Sequence, residues 1–333
     1  MFISIFCLMW AFFIDFICSL EIIFIPSHKI LIPMRKCLFL FFLCLPLFCI
    51  AQQIDLNCFA IIAGKCATTD GSVIMAHNED DGGEQMLNLY VVPANKETGS
   101  RKYIWAEFPG QSVADSYMNE YGVCVASDGC NSCEDRDDFT DGGVLYEVRT
   151  AVAKQATSAR HAVKIIGEIV EKYGYRGSGR TYIIADPNEG WICSVVKGRH
   201  WVAQRVPDDK VMCIPNYYTI TSVDLNDTIN FLGSADIESY AIERGWYNPD
   251  TDGDFNFRLA YHSPATFTRE SNAWRHKPVI AYITDNNYSY SVEEVQPMWT
   301  PAKKLNVQDM INMLSIHREV EENVHPANVC TSV

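Results

Sequence analysis

One short stretch, residues 57–81, constrains this chain more than any other part of it. Two apolar runs, residues 59–63 and 72–76, flank a polar link that contains an Asp-Gly pair. Short apolar runs separated by turn-forming residues are typical of a β-hairpin. We therefore predict two antiparallel strands, with Cys58 at the start of the first and a polar cluster, residues 77–80, at the end of the second.

The register of this hairpin decides which polar residue lies beside the cysteine. Paired residues in an antiparallel ladder keep a constant sum of residue numbers. If the chain folds back near Ala67 and Thr68, the register sets Cys58 beside His77 and Asn78. The sequence therefore predicts that a thiol meets a polar cluster.

A cysteine at the first residue of a strand has a second chemical possibility. If everything before Cys58 were removed, the residue would carry a terminal α-amine, whose unperturbed pKa is about 7.7 to 8.0. Such an amine is a general base on the same residue as the thiol that it activates. An ordinary buried core cysteine is the alternative, and spacing alone favours it.

The segment before the hairpin makes that removal a reasonable hypothesis. Residues 34–51 have a basic start, an apolar stretch too short to span the roughly 30 Å of bilayer hydrocarbon, and a small residue, Ala51, at the end. We interpret them as a signal peptide, with residues 52–57 as a short propeptide. Residues 1–33 are an uncertain apolar leader, either upstream of a true start at Met34 or an extra membrane segment.

These assignments predict an exported protein, periplasmic or extracellular, with no stable membrane insertion after signal removal. The formal net charge is −14, and it stays at −14 without the first 57 residues, which hold three basic and three acidic residues. An acidic chain of this kind does not favour nucleic-acid binding, because phosphate neutralisation needs clustered Lys and Arg. The sequence leaves a homo-oligomer open.

Hydrophobic periodicity predicts the order of the remaining elements. Strands are predicted at residues 87–93 and 102–108, a hairpin at 116–126, helices at 143–155 and 159–173, strands at 181–185, 191–196, 200–206 and 211–214, and helices at 235–244 and 307–318. A sheet, a helix pair and a second sheet indicate an α+β fold in which two sheets face each other with helices outside.

Several separate motifs then occur in one order along the chain. They are CFAIIAG at 58–64, DGS at 70–72, HNED at 77–80, YIIADP at 182–187, Trp191, GRHW at 198–201 and RVPDD at 205–209. Together they resemble the dipeptidases of peptidase family C69, which are N-terminal nucleophile hydrolases. The resemblance runs from Cys58 to about Arg318.

That resemblance implies a four-layer αββα sandwich, autocatalytic release of the nucleophilic cysteine, no metal or other cofactor, and hydrolysis of small peptide substrates. On this basis residues 58–333 are the hydrolase domain. The plan is also similar to that of the penicillin V acylases and bile salt hydrolases. Family chains usually continue well past the helix predicted at residue 307, so we expect C-terminal strands of the fold to be missing here.

The resemblance also implies roles for residues of the polar cluster and beyond it. Cys58 is the nucleophile and its α-amine the base, and Asp80 matches the acid that orients that amine. His77 stands where the acylase branch has arginine, and a histidine is a weaker permanent cation than a guanidinium. Asn216 follows a strand as the oxyanion asparagine of the acylases does, although an asparagine there is also typical of a turn.

Three further residues are candidates for substrate binding. Asp128 and Asn131 follow the second predicted hairpin, where related enzymes place pocket residues. Arg275 matches an arginine in a late Trp-Arg motif of the family and is expected to bind a substrate carboxylate. Stacking of Arg275 on an aromatic face is the alternative.

A zinc site is a competing interpretation of part of this pattern. The H-x-E of His77 and Glu79 and the C-x-x-C of Cys130 and Cys133 imitate the halves of a zinc deaminase motif. The context differs, because no proline precedes Cys130 and His77 ends a predicted strand. We therefore predict no metal.

Three functions remain in competition at this point. The first is an exported cysteine dipeptidase that forms an acyl-enzyme on Cys58. The second keeps this mechanism and cleaves non-peptide amides, as penicillin V acylases and bile salt hydrolases do. The third is a non-catalytic exported binding protein that never processes the bond before Cys58.

Overall fold

A computed structural model describes residues 58–79, 87–107, 114–267, 270–288, 290–291 and 295–316 of the chain, without the side chains of 114–115, 267 and 270. The predicted leader, signal peptide and propeptide, residues 1–57, lie outside the described residues, and so does Asp80. Within the described part, no helix has the length and apolar character needed to cross a membrane.

The strands of the described part, in chain order, are β1 Phe59–Ala63, β2 Ile74–Asn78, β3 Asn88–Val92, β4 Tyr103–Glu107, β5 Ala114–Asn119, β6 Cys124–Gly129, β7 Tyr175–Ala185, β8 Gly190–Gly198, β9 Trp201–Val206, β10 Val211–Ile214, β11 Phe231–Gly233 and β12 Met298–Trp299. The helices are α1 Glu147–Gln155, α2 Ala159–Tyr173, α3 Ile237–Glu243, α4 Phe257–Tyr261, α5 Pro264–Phe267, α6 Glu270–Thr284 and α7 Val307–Leu314.

The described strands form two antiparallel sheets. The smaller has the order β12-β10-β1-β2, and the larger has the order β11-β9-β8-β7-β6-β5-β4-β3. The prediction that the helices separate a first sheet from a second is wrong. Strands before the helix pair, β3 to β6, join strands after it, and β10 returns to pair with β1. Hydrophobic periodicity finds strands, but it carries no information on which distant strands pair.

Three separate cores show that the layers are stacked as helices, sheet, sheet, helices. One core lies between α1 and α2 and the outer face of the large sheet. A second lies between the two sheets, where Ile62 and Met212 meet side chains of β7 to β9. The third lies between the small sheet and α6 and α7. The predicted α+β fold with two facing sheets and helices outside is confirmed.

Helix α6 has no counterpart among the predicted elements. It spans fifteen residues and contains Pro278 in its interior. An internal proline removes one helical hydrogen bond and normally argues against a helix, which is why the sequence read as a loop here. Tertiary packing overrides this preference, because Val279, Ile280 and Ile283 of α6 are buried against the small sheet.

The third core also encloses an ionisable residue of α6, His276. Its imidazole is fully buried among aromatic rings, and its Nδ1 lies 2.7 Å from the hydroxyl oxygen of Tyr217. Burial lowers the pKa of His276 to about 3, with smaller contributions from the charges of Arg258 and Arg275. The folded protein therefore holds this imidazole neutral.

Helix α2 contacts the large sheet at Gly167, where any larger residue requires the neighbouring side chain to shift. A Cβ added at Gly167 would come within 2.1 Å of Cζ2 of Trp201. The Trp201 indole cannot swing away easily, because its Nε1 donates a hydrogen bond of 2.8 Å to Oε1 of Glu171 on the same helix.

Replacing Gly167 with alanine should therefore lower the free energy of unfolding by about 1 to 3 kcal/mol, despite the better helix propensity of alanine. Urea denaturation measures this. The exposed neighbour provides the control, since Glu168→Ala should change the stability by less than about 0.5 kcal/mol. A Gly167→Ala protein as stable as the wild type would contradict the close packing on Trp201.

His276 should make the folded state less stable at mildly acidic pH. Its pKa is depressed from 6.5 to about 3 on folding, so between these values the unfolded chain binds a proton that the folded chain does not. The contribution is complete above pH 6.5 and is lost as the pH falls. Each pH unit in this window costs at most about 1.4 kcal/mol.

The measurement compares the wild type with His276→Gln by urea denaturation at several pH values from 7 down to about 5. The variant should be less stable at neutral pH, because it disturbs a packed core, but its stability should fall less steeply on acidification. If the free energy of unfolding fell equally steeply with pH in both proteins, the folded protein would take up a proton at His276 as readily as the unfolded chain does. That result would contradict a depressed pKa of His276.

Candidate active site

Strand β1 places Cys58 at the junction of the two sheets, the region where the end of the small sheet meets the end of β6 in the large sheet. All five residues of β1 are buried, with alternate side chains in the core between the sheets and in the core beneath α6. The strand pairs with β10 on one side and β2 on the other. Cys58 immediately precedes this strand and is 5% exposed. The strand that follows Cys58 is therefore paired along both edges.

The observed register places a different residue opposite the cysteine from the one predicted. Phe59 pairs with Asn78 and Ala60 with His77, so continuation of the ladder sets Cys58 opposite Glu79. The Cys58 thiol donates a hydrogen bond to Oε1 of Glu79 over 3.3 Å. The predicted placement of Cys58 beside His77 and Asn78 is thus in error by one to two residues, because the turn of the hairpin lies slightly later.

Glu79 is therefore the site residue that the sequence reasoning missed. It stands inside the predicted polar cluster, so the signal was present, but an error of one residue in register exchanges the two faces of a strand. Asn78 points elsewhere, since its Nδ2 donates to the main-chain oxygen of Leu314 over 3.0 Å.

His77 connects the two sheets. Its Nε2 lies 2.7 Å from Oδ1 of Asp128, which β6 of the large sheet supplies, and 3.9 Å from Oε2 of Glu79. The side chain of His77 is 5% exposed and that of Asp128 is fully buried. A carboxylate oxygen accepts the proton of an imidazole N–H, and we assign the ring proton to Nε2 on this basis. The structure thus brings Asp128, which the sequence analysis selected separately as a substrate-binding residue, to the cluster of Cys58 and His77.

A buried arginine ties the cysteine to two other segments. Arg275 of α6 is 2% exposed, and its Nη1 donates to the main-chain oxygen of Cys58 over 2.5 Å. Its Nη2 donates to Oδ1 of Asn216 over 2.9 Å and to Oδ1 of Asn272 over 2.6 Å. The guanidinium also lies 5.8 Å from the ring centre of Phe59. Arg275 thereby links α6 to the start of β1 and to the residue after β10.

Asn216 adopts an unusual backbone conformation at this junction, with a φ of +53°. Asparagine tolerates this left-handed region better than most residues. Its Nδ2 donates to the main-chain oxygen of Gly129 over 3.0 Å, so the side-chain amide bridges Arg275 and the end of β6. Asn216 is therefore linked to Cys58 through the Arg275 side chain. Its role as an oxyanion donor stays a prediction.

The structure treats the predicted substrate-binding residues differently from one another. Asp128 belongs to the cluster at Cys58. Asn131 is exposed, and its main-chain oxygen accepts a hydrogen bond from the nitrogen of Ser263. The described contacts of Arg275 are with protein acceptors, which favours a positioning role over the predicted carboxylate-binding role. The alternative prediction, stacking of Arg275 on an aromatic face, agrees in part with its position near the Phe59 ring.

The cluster at Cys58 combines groups with opposite effects on the thiol. A carboxylate beside a thiol disfavours the thiolate, whereas a nearby cation favours it. Glu79 is the carboxylate in contact, so formation of a thiolate needs a cation or a base at the same place. The donor atoms of Cys58, His77 and Glu79 all lie within 4.8 Å of one another, a spacing that also suits a metal ion.

Comparison with known proteins gives one family. The model of peptidase family C69 matches residues 138–327. A probable dipeptidase of Latilactobacillus sakei is 27% identical over 295 residues, which cover 80% of this chain and 62% of that protein. The probable dipeptidase B of Streptococcus pyogenes serotype M1 is 24% identical over 290 residues, with coverages of 79% and 57%. The chain therefore spans about three fifths of the length of these relatives.

Solved structures with a similar arrangement are more distant. An N-acylethanolamine-hydrolyzing acid amidase ortholog of Caenorhabditis elegans has a TM-score of 0.36 and 11% identity, covering 80% of this chain and 88% of that one. A penicillin V acylase of Agrobacterium tumefaciens has a TM-score of 0.31 and 10% identity, with coverages of 84% and 70%. Scores this low support no conclusion about function. The family model, in contrast, matches more than half of the chain, and the chain belongs to peptidase family C69.

Proposed function

We propose that this protein is an exported cysteine dipeptidase that hydrolyses dipeptides through an acyl-enzyme on Cys58. The observation that carries the proposal is the position of the Cys58 thiol, 3.3 Å from Glu79 at the head of a buried strand, in a chain of family C69. Relatives named as probable dipeptidases support the substrate class. Residues 34–51, as a signal peptide, are the reason for proposing export.

In the proposed mechanism, removal of the residues up to Asn57 leaves a terminal amine on Cys58. This amine accepts the thiol proton, and the sulfur attacks the scissile carbonyl carbon. The carbon–nitrogen bond then breaks while the amine returns the proton to the leaving nitrogen. Water then attacks the resulting thioester, with the same amine as the base. This step releases the amino acid that was bound to Cys58 and regenerates the thiol.

Other residues have supporting roles in this proposal. Protonation of the amine creates a cation beside Glu79, which compensates the unfavourable effect of this carboxylate on the thiolate. Asp80 is proposed to orient the amine, as the resemblance implies. His77 is held by Asp128 in a fixed orientation and supplies a second group that can carry positive charge. Asn216 is proposed to donate to the oxyanion.

Arg275 is proposed to be a positioning residue. Its hydrogen bond to the main-chain oxygen of Cys58 fixes the nucleophile against the strand, and its contact with Asn216 fixes the proposed oxyanion donor. One guanidinium would thus set the distance between the attacking sulfur and the oxyanion site, which is a geometric requirement of acyl transfer.

Loss of the Cys58 thiol should abolish dipeptide hydrolysis. Cys58→Ala and Cys58→Ser should each lower kcat/KM by at least about 10³-fold, because a nucleophile and its base act as one unit. The matched control is Cys66→Ser, which changes an exposed thiol eight residues away and should keep full activity. Wild-type turnover by Cys58→Ala would refute the nucleophile assignment.

Two further readouts from the same preparations separate the competing functions. Intact-mass measurement should give an N-terminus at Cys58 in the active wild type. Folded protein whose N-terminus lies upstream of Cys58, without hydrolytic activity, would favour a binding protein. Faster cleavage of acylated amines than of dipeptides would favour the amidase.

An Arg275→Lys variant should separate positioning from substrate binding. Lysine keeps the charge but cannot reach three acceptors with a planar fork. If Arg275 positions Cys58 and Asn216, kcat should fall by about 10- to 10²-fold, equally for dipeptides and for dipeptides with an amidated C-terminus. If Arg275 binds the substrate carboxylate, KM should rise for free dipeptides alone. Arg176→Lys, at an exposed position, is the control and should change neither constant.

A further inference from the structure

The side chains around Cys58 offer the kinds of donor atom that Zn²⁺ prefers in proteins. Cys58 supplies sulfur, His77 an imidazole nitrogen and Glu79 a carboxylate, and their ligand atoms all lie within 4.8 Å of one another. The zinc motif weighed in the sequence paired His77 and Glu79 with Cys130 and Cys133. The fold brings Cys58 to them instead, because β1 and β2 are neighbours in the small sheet.

The separations of these atoms suit a tetrahedral ion. With bonds of about 2.0 Å to nitrogen or oxygen and 2.3 Å to sulfur, two ligands of one zinc ion lie about 3.3 to 3.8 Å apart. The Cys58 sulfur is 3.3 Å from Oε1 of Glu79, and Nε2 of His77 is 3.9 Å from Oε2 of the same carboxylate. Both separations lie close to this range, and the Cys58 sulfur and the His77 ligand nitrogen lie within 4.8 Å of each other.

Asp128 lies beside the donor set without belonging to it. Its Oδ1 is 2.7 Å from Nε2 of His77, whereas the described group whose ligand atoms all lie within 4.8 Å of one another consists of Cys58, His77 and Glu79. Coordination by Nε2 requires the ring proton to move to Nδ1, since the ligand is the neutral imidazole. The hydrogen bond between Nε2 and Asp128 would then be given up, and a water molecule would complete the four ligands.

Burial and charge favour a cation at this place. Cys58, the His77 side chain and Asp128 are almost fully excluded from water, and the Glu79 side chain is 21% exposed. Arg180 is a buried cation that interacts electrostatically with Glu79 and already offsets part of the negative charge here. Metal binding would add the negative charge of the Cys58 thiolate to that of the carboxylates, and the divalent cation would compensate this added charge. The partly exposed Glu79 leaves a route of entry.

We propose that the side chains of Cys58, His77 and Glu79 form a binding site for Zn²⁺ and that zinc bound there reversibly inhibits the enzyme. Binding replaces the thiol proton with a sulfur–zinc bond, releases one proton to solvent and involves no change of oxidation state. The metal blocks the nucleophile and is not a cofactor. The inhibition rests on the proposed catalytic role of Cys58, whereas the binding rests on the donor geometry alone.

His77 is the residue that makes this site possible. An arginine, which the acylase branch carries at the corresponding place, is permanently protonated and cannot ligate a metal ion. A histidine at the same position adds an imidazole nitrogen to the sulfur of Cys58 and the carboxylate of Glu79, which together are ligand types that zinc prefers.

Titration of the purified protein with Co²⁺ tests the binding without any measurement of activity. Co²⁺ at a tetrahedral thiolate site gives visible absorption bands and a near-ultraviolet sulfur-to-metal charge-transfer band, and Zn²⁺ should displace it at one equivalent per chain. Cys58→Ala should lose the charge-transfer band. His77→Gln and Glu79→Gln should each weaken binding by at least about 10-fold, since even outer-shell partners of metal ligands are worth that much.

Two control variants exclude binding elsewhere on the surface. Cys66→Ser and His161→Gln change an exposed thiol and an exposed imidazole, and both should bind Co²⁺ as the wild type does. Absence of a charge-transfer band in the wild type would overturn the proposal. Equal affinity in the wild type and His77→Gln would also overturn it, because the thiolate and the terminal amine of Cys58 would then suffice to hold the ion.

The inhibition is measured on dipeptide hydrolysis. Zn²⁺ should inhibit the wild type in proportion to the occupancy found with Co²⁺, a chelator should restore activity, and inhibition should strengthen as the pH rises because the metal competes with the thiol proton. Cobalt binding in a protein without peptidase activity would leave the site intact and reject the proposed function. Full activity with the site saturated would reject the inhibition.

Discussion

The structure depends on the burial of β1 from every side. Its alternate residues belong to two different cores, and its two edges are paired with β10 and β2. A strand enclosed in this way cannot shift its register without moving apolar side chains into the wrong core. The residue that precedes it, Cys58, inherits this rigidity. The nucleophile proposed here is thus placed by a strand that is buried at every residue.

Arg275 extends this constraint from β1 to the rest of the junction. A guanidinium that is 2% exposed needs acceptors for its hydrogen bonds, and it finds them on Cys58, Asn216 and Asn272. Burying a charged guanidinium without hydrogen-bond acceptors would destabilise the folded state. The hydrogen bonds of Arg275 therefore hold the three segments together. The lowered pKa of the adjacent His276 fits this arrangement, since a second buried cation there would be repelled.

The large sheet contributes to the site through the contact of Asp128 with His77 across the interface between the sheets. Asp128 is fully buried and orients His77, which in turn lies near Glu79. This chain of polar side chains explains how one cluster can serve two proposed purposes. The groups proposed to surround the reacting thiol include the proposed zinc ligands, and zinc binding would replace the thiol proton and move the ring proton of His77.

The amino-acid sequence by itself determined the local features of this protein. The strands β1 and β10 and helix α2 begin and end at the predicted residues, because short apolar runs, a serine cap and a terminal glycine act locally. The motifs of residues 58–80 and 182–209 were enough to indicate family C69, which the family model confirms. Tertiary structure alone decided which strands pair, that Pro278 lies inside a helix, that Glu79 faces Cys58 and that Arg275 contacts the Cys58 carbonyl. These features depend on contacts between residues far apart in the chain, and local propensity does not predict such contacts.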